Sequence, residues 1–228
     1  MKKTDFFFVL ALLLIFLPFV LNEILYIWFK QVSRDYAFLM GFLKFAILAT
    51  MGEMLGLRIR KGVYNEPGFG LAPRAVVWGV LGVAITAAMM TFKTGTPKLV
   101  SQIMGLNEAL FVSGGMGWKL LGAFSISVMM NCIFAPVFMT FHKITDTHIA
   151  QTGGTLHGFF AKKIAFSNIL QNLNWTVQWR FVFMKTIPFF WIPAHTITFI
   201  LPNEFQVLFA AILGVVLGVI LSIAANKK

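Results

Sequence analysis

Six apolar runs, each close to the roughly 20 residues needed to cross a bilayer, constrain this 228-residue chain more than any other feature. They extend over Phe6 to Phe29, Tyr36 to Leu57, Val76 to Phe92, Leu120 to Phe141, Phe181 to Leu201 and Phe205 to Ala225. In hydrocarbon every backbone N–H and C=O has to be satisfied within the protein, so such runs fold as helices. The chain therefore reads as an all-α polytopic transmembrane bundle of about six spans, closed by a C-terminal helical hairpin. Its residues are 58% hydrophobic and 12% charged, whereas a soluble domain is about a quarter charged. No polar stretch is long enough to fold separately, so residues 1–228 read as one integral membrane domain.

The ends of the runs suggest a topology. Lys2 and Lys3 followed by Phe6 to Leu21 imitate a signal peptide, but a small-residue cleavage site is missing. Residues 1–30 thus read as an uncleaved first span, bent at Pro18. Lys44 and Lys185 lie inside runs. With the N-terminus inside, the inner side holds twelve of the other Lys and Arg residues, among them Arg58, Arg60, Lys61, Arg74, Lys227 and Lys228. The outer side holds five: Lys30, Arg34, Lys93, Lys98 and Lys119. This asymmetry predicts a multi-pass membrane protein with both termini cytoplasmic. It also predicts contact with anionic lipids at the cytoplasmic face. A net charge of +11 would suit nucleic acid, but the basic residues are dispersed at the ends of apolar runs, so nucleic acid is excluded as a partner.

Two connections are long. Thr94 to Lys119 contains an amphipathic piece near Lys98 to Leu110 and then Gly114-Gly115. His142 to Arg180 contains Gly153-Gly154 and then an amphipathic stretch from Phe159 to Leu173. Such a stretch lies either in the membrane interface or against its own bundle. Trp175, Trp179 and Trp191 suit an aromatic belt. The fifth run is the weakest, because Pro188 and Pro193 each remove a backbone donor and Lys185 interrupts it.

Ionisable residues inside a membrane are expensive and mark wet or interior faces. Glu53 is the foremost candidate for a polar path. Lys44 is nine residues earlier, about 13 Å along a helix and on roughly the opposite face, so a partner for Glu53 has to come from another helix, such as Lys185. His195, two residues after Pro193, is a second candidate, either lining a path or hydrogen-bonded across helices. His142, Asp146 and His148 have ligand chemistry suited to zinc or iron. Their spacing puts His142 and Asp146 on one helical face and turns His148 away, so they remain weak metal candidates and no cofactor is implied. The small residues Ala210, Gly214, Gly218 and Ser222, spaced by four, form a packing stripe, with Gly52 and Gly56 as its candidate partner inside the chain or a second copy as its partner outside. Phosphate-cradling loops, nucleophile elbows and paired zinc histidines are missing, so the chain reads as a non-enzyme.

Several of these residues stand in an order that resembles a known family. They are Gly52-Glu53, Arg74-x-x-x-Trp78-Gly79, Ala135-Pro136-x-Phe138, and the C-terminal set Trp191, Pro193, His195, Thr198-Phe199, Leu201-Pro202, Gln206-Val207 and Leu221-Ser222. Together, over residues 36–222, they resemble the membrane proteins named for mitochondrial Mpv-seventeen and the twenty-two-kilodalton peroxisomal membrane protein, with this chain as a distant bacterial-type member. The chain departs from the family pattern at His195, Thr198, Gln206, Ala211 and Leu217, which stand for glutamine, asparagine, arginine, asparagine and tryptophan. The resemblance implies a channel-like or transport-related protein for small solutes, with Glu53 and His195 lining a polar path and Arg74 at its cytoplasmic mouth. The alternatives are a non-transporting assembly protein packing through its small-residue faces, and a small membrane metalloenzyme.

Overall fold

The computed structural model describes residues 2–225, with the side chains of Val112 and of residues 221–225 left out of the description. Ser222 as a packing residue, and Lys227 and Lys228 as topology markers, lie outside it. The described chain is all helix. In order it forms α1 (Lys3–Leu21), α2 (Glu23–Asp35), α3 (Ala37–Lys61), α4 (Leu71–Met104), α5 (Ala109–Ser113), α6 (Met116–Gln151), α7 (Leu156–Ala161), α8 (Phe166–Gln171) and α9 (Trp175–Val177). A π-helical segment, Gln178–Trp191, then leads into α10 (Ile192–Ile200) and α11 (Asn203–Ala225). Among the described residues, α1, α3, α4, α6 and α11 are long and apolar enough to cross a membrane.

The first expected span is divided. The chain leaves α1 at Asn22, whose extended backbone breaks the helix and whose Oδ1 accepts from the Leu25 N–H, 3.1 Å away, to cap α2. Pro18 is carried within α1. The fifth expected span is helical throughout but changes type at Trp191. Its first part takes wide π turns around Pro188, and Pro193 falls in the first turn of α10, where a missing N–H costs least.

Two expected spans are longer than anticipated. At 34 and 36 residues, α4 and α6 extend about 51 and 54 Å, well beyond a 30 Å hydrocarbon core. α4 passes through Pro97 and takes up much of the first amphipathic connection. α6 passes through Pro136 and takes up His142 to His148. The Phe159 to Leu173 stretch is two six-residue helices rather than one, and it anchors through the buried Ile169. Trp175 and Trp179 are exposed as a belt requires, but Trp191 is buried against Ala135, Ile187 and Leu213.

Five helical elements close a ring: α11 packs on α3, α3 on α4, α4 on α6, α6 on α10, and α10 returns to α11. Phe45, Ile85, Met130, Phe199 and Ala211, one from each in turn, meet in the main core. The tightest approach is between α3 and α4. A Cβ on Gly82 would sit 2.5 Å from the Gly41 carbonyl oxygen, and one on Gly41 would collide with the Thr86 hydroxyl. Glycine at both positions lets the two backbones touch. α1 stands outside the ring and buries none of its residues. It is pinned at its start by Asp5, whose carboxylate accepts from Arg58 Nε at 2.7 Å and from the Tyr64 hydroxyl at 3.1 Å.

Candidate functional site

The ring encloses a cavity of about 630 Å³. Its mouth lies beside the loop joining α3 to α4, at Arg60, Glu66 and Phe69, and its floor ends on Phe45, Ile85 and Met130. Each of the five ring elements supplies part of the wall.

Charged groups gather in the outer half of this cavity. Arg74 and Trp78 are four residues apart on α4, so they share a face. Both point at Glu53 of α3: Arg74 Nη1 donates to Oε2, and Trp78 Nε1 donates to Oε1 at 2.7 Å. His142 Nε2 also approaches Oε1, at 3.3 Å. The same Arg74 nitrogen pairs with Asp146 Oδ1, one turn beyond His142 on α6, and Arg74 Nε donates to the Phe69 carbonyl at 2.6 Å. One guanidinium therefore joins three helices and is shared by two carboxylates. The Arg74, Glu53 and Asp146 side chains keep 13%, 20% and 25% exposure, so a molecule in the cavity can reach all three. In a poorly polarisable interior such a set is held strongly when complete and is costly when one member is lost.

His195 lines the inner half. Its Nδ1 lies 3.0 Å from Asn131 Nδ2, and its ring stacks on Trp191 with centroids 5.1 Å apart. Asn131 donates to the Ser127 carbonyl at 2.8 Å, and Ser127 Oγ donates to the Ile192 carbonyl at 2.7 Å. His195 thus both hydrogen-bonds across helices and faces the cavity. Between this polar set and the charged one the wall is largely apolar, with Phe134, Phe138 and Leu217.

The structure brings Glu53, Arg74 and His195 to one cavity, but not Lys185. Lys185 is exposed on the outer face of the π-helical segment beside Trp179 and Arg180, so it is corrected from the polar path, and Arg74 is the cation that Glu53 meets. Arg74 lies next to the mouth, bonded to the Phe69 carbonyl, and is also the centre of the charged set. The weak metal candidates His142, Asp146 and His148 do not come together. On the continuous α6, His148 turns away and its Nε2 lies 3.1 Å from the Phe159 carbonyl, while His142 and Asp146 join Glu53 and Arg74. Among the described residues no three His, Cys, Asp or Glu side chains are grouped to hold a metal ion.

The small-residue stripe both packs on α3 and borders the cavity. Gly52 lets α11 approach α3, since a Cβ there would stand 3.0 Å from Val215 Cα, and Gly218 faces the Gly52 carbonyl. Gly52, Gly218, Ala210, Gly214 and Gly56 all border the cavity as well, and Gly214 has open space where a Cβ would stand. Trp78, Asn131 and His142 are site residues that sequence reasoning missed in these roles. Two i,i+4 pairs of polar and aromatic residues, Arg74 with Trp78 and His142 with Asp146, were the available signal, as was the lone Asn131 inside an apolar run.

No protein-family model, no curated protein and no solved structure matches this chain. Fold and site together define a multi-pass α-helical membrane protein with a charged cavity inside a ring of helices.

Proposed function

We propose that this chain is a non-enzymatic, channel-like or transport-related membrane protein for small solutes. One observation carries the reading: a single cavity joins the Glu53, Arg74 and Asp146 set to His195 within the five-helix ring. A polar outer half, an apolar middle and a polar inner group suit a small solute with a polar end and an apolar body. Arg74 is the recognition element. The floor at Phe45, Ile85 and Met130 is a closed gate, so passage requires α3, α4 and α6 to separate there. The resemblance to the Mpv-seventeen and twenty-two-kilodalton peroxisomal membrane protein family supports the same reading, since Glu53, Arg74 and Trp78, which carry part of it, are bonded to one another. The setting we infer is a bacterial cell membrane, with both termini cytoplasmic and the mouth on the cytoplasmic side.

The test is solute release from liposomes holding the purified protein. The double variant Glu53→Ala, His195→Ala is expected to release no more than protein-free liposomes. Equal release by wild type and variant would remove these residues from the mechanism. An assembly role through the α11 stripe has less support, because Gly52 and Gly218 face each other inside one chain and Gly214 faces the cavity.

A further inference from the structure

A second site lies at the other end of α3, about 13 Å along the helix from Glu53. There α1 stands off from the ring, and the space between α1, α2 and α3 is a crevice of about 910 Å³. Its walls are mostly apolar, among them Phe16 and Phe19 from α1, Leu43 and Ile47 from α3 and Leu208 from α11, with the exposed Glu23 as the one acid in the lining. One cation is built into it. Lys44 is 93% buried, and its ammonium donates to Ser33 Oγ at 2.9 Å and to the Glu204 carbonyl at 3.4 Å, beneath the Phe29 ring. Both acceptors are neutral, and an ammonium has three donors. Ion pairing leaves Lys44 out: among the described residues no carboxylate lies within 4 Å of it, nor of Lys30 or Lys93.

The surroundings increase the positive excess. The carboxylate of Glu204 at the start of α11 pairs with Arg34 at 2.7 Å and also lies in the field of Lys30 and Lys93. Three cations from α2 and α4 therefore surround a single carboxylate, and Lys44 of α3 meets only the backbone carbonyl of the same residue. Such an excess at the rim of an apolar crevice calls for a ligand with one anionic group and a long apolar body. We propose that this crevice binds an anionic phospholipid, with an acyl chain lying between α1 and α3 and the phosphate drawn to Lys44, Lys30 and Lys93. α1, which has no fully buried residue and meets the main core through Phe16, then has a role as the outer wall of a lipid site. Charge complementarity selects the headgroup, because a zwitterionic lipid of the same chain length fills the crevice equally well but offers the cations no net negative charge.

The experiment uses the full chain, purified in detergent and stripped of lipid. Thermal unfolding is followed with phosphatidylglycerol, with phosphatidylcholine of the same chains, and with inorganic phosphate. Saturating phosphatidylglycerol is expected to raise the midpoint by about 5 °C, with little change from the other two additions. Lys44→Met is expected to weaken phosphatidylglycerol binding, titrated by native mass spectrometry, at least about fivefold. If that variant does not fold, Lys30→Gln and Lys93→Gln at the rim carry the same expectation to a smaller degree. Equal shifts with both lipids, a shift with phosphate alone, or undiminished binding by the folded variants would overturn the proposal.

Discussion

α3 carries two ionisable residues inside the membrane-spanning bundle, and the molecule treats them in opposite ways. At Glu53 the carboxylate turns into the ring and meets Arg74, Trp78 and His142 from two other helices. At Lys44 the ammonium turns away from the cavity, toward α2 and the start of α11, and finds only a hydroxyl and a carbonyl. The packing differs too. Around Glu53 the helices stand apart and leave a cavity, whereas toward Lys44 the glycines at 41 and 82 bring α3 and α4 into backbone contact. The lesson is that a buried charge is accommodated either by a closed set of partners or by neutral donors and acceptors plus something outside the chain. Only the first end depends on each of its members.

The largest expected effect follows from that dependence. Arg74→Ala leaves the Glu53 and Asp146 carboxylates without their shared cation, and is expected to cost about 3–5 kcal/mol in reversible unfolding. A loss under about 1 kcal/mol would show that the charged set is not what joins α3, α4 and α6. Next comes the seam. Gly82→Val drives a side chain into Gly41 and Phe45 and is expected to cost about 1–3 kcal/mol. Lys44→Met removes a cation with no ion-pair partner, so lipid-free protein is expected to change by less than about 1 kcal/mol in either direction. A loss as large as that of Arg74→Ala would erase the contrast between the two ends. Gly214→Ala is the smallest: its Cβ meets nothing within 4 Å, and stability is expected to stay within about 0.5 kcal/mol.

Much of this was legible in the sequence, because hydrophobic length fixes helices in lipid without reference to tertiary contacts. The all-helical class and the C-terminal hairpin followed from run lengths, and the opposite facing of Glu53 and Lys44 from helical periodicity. What was missed depends on contacts between helices far apart in sequence. Lys185, inside the fifth run, was the partner the sequence offered Glu53, while Arg74 stood only at the mouth of the path. Only the packing of α3 on α4 separates them, and that packing rests on Gly41 and Gly82. His142 and Asp146 read as metal-like side chains because their spacing fixes a shared face but not what the face meets. The ends of α4 and α6 were placed too early because polar residues follow Phe92 and Phe141. Pro97, beyond the expected third span, is instead carried inside α4, as Pro136 is inside α6, where Thr140 Oγ1 donates to the Pro136 carbonyl at 2.8 Å.

The proposed solute path can be tested where the cavity has room for a probe. In a background where the exposed Cys132 is replaced by serine, a single cysteine at Gly214 places a thiol on the cavity wall between the charged set and His195. Protein in liposomes would be treated with a small thiol-reactive reagent and assayed for solute release. The path through this cavity predicts that labelling Gly214→Cys stops release, while labelling Val80→Cys on the exposed face of α4 leaves it intact. Undiminished release from fully labelled Gly214→Cys protein would contradict it.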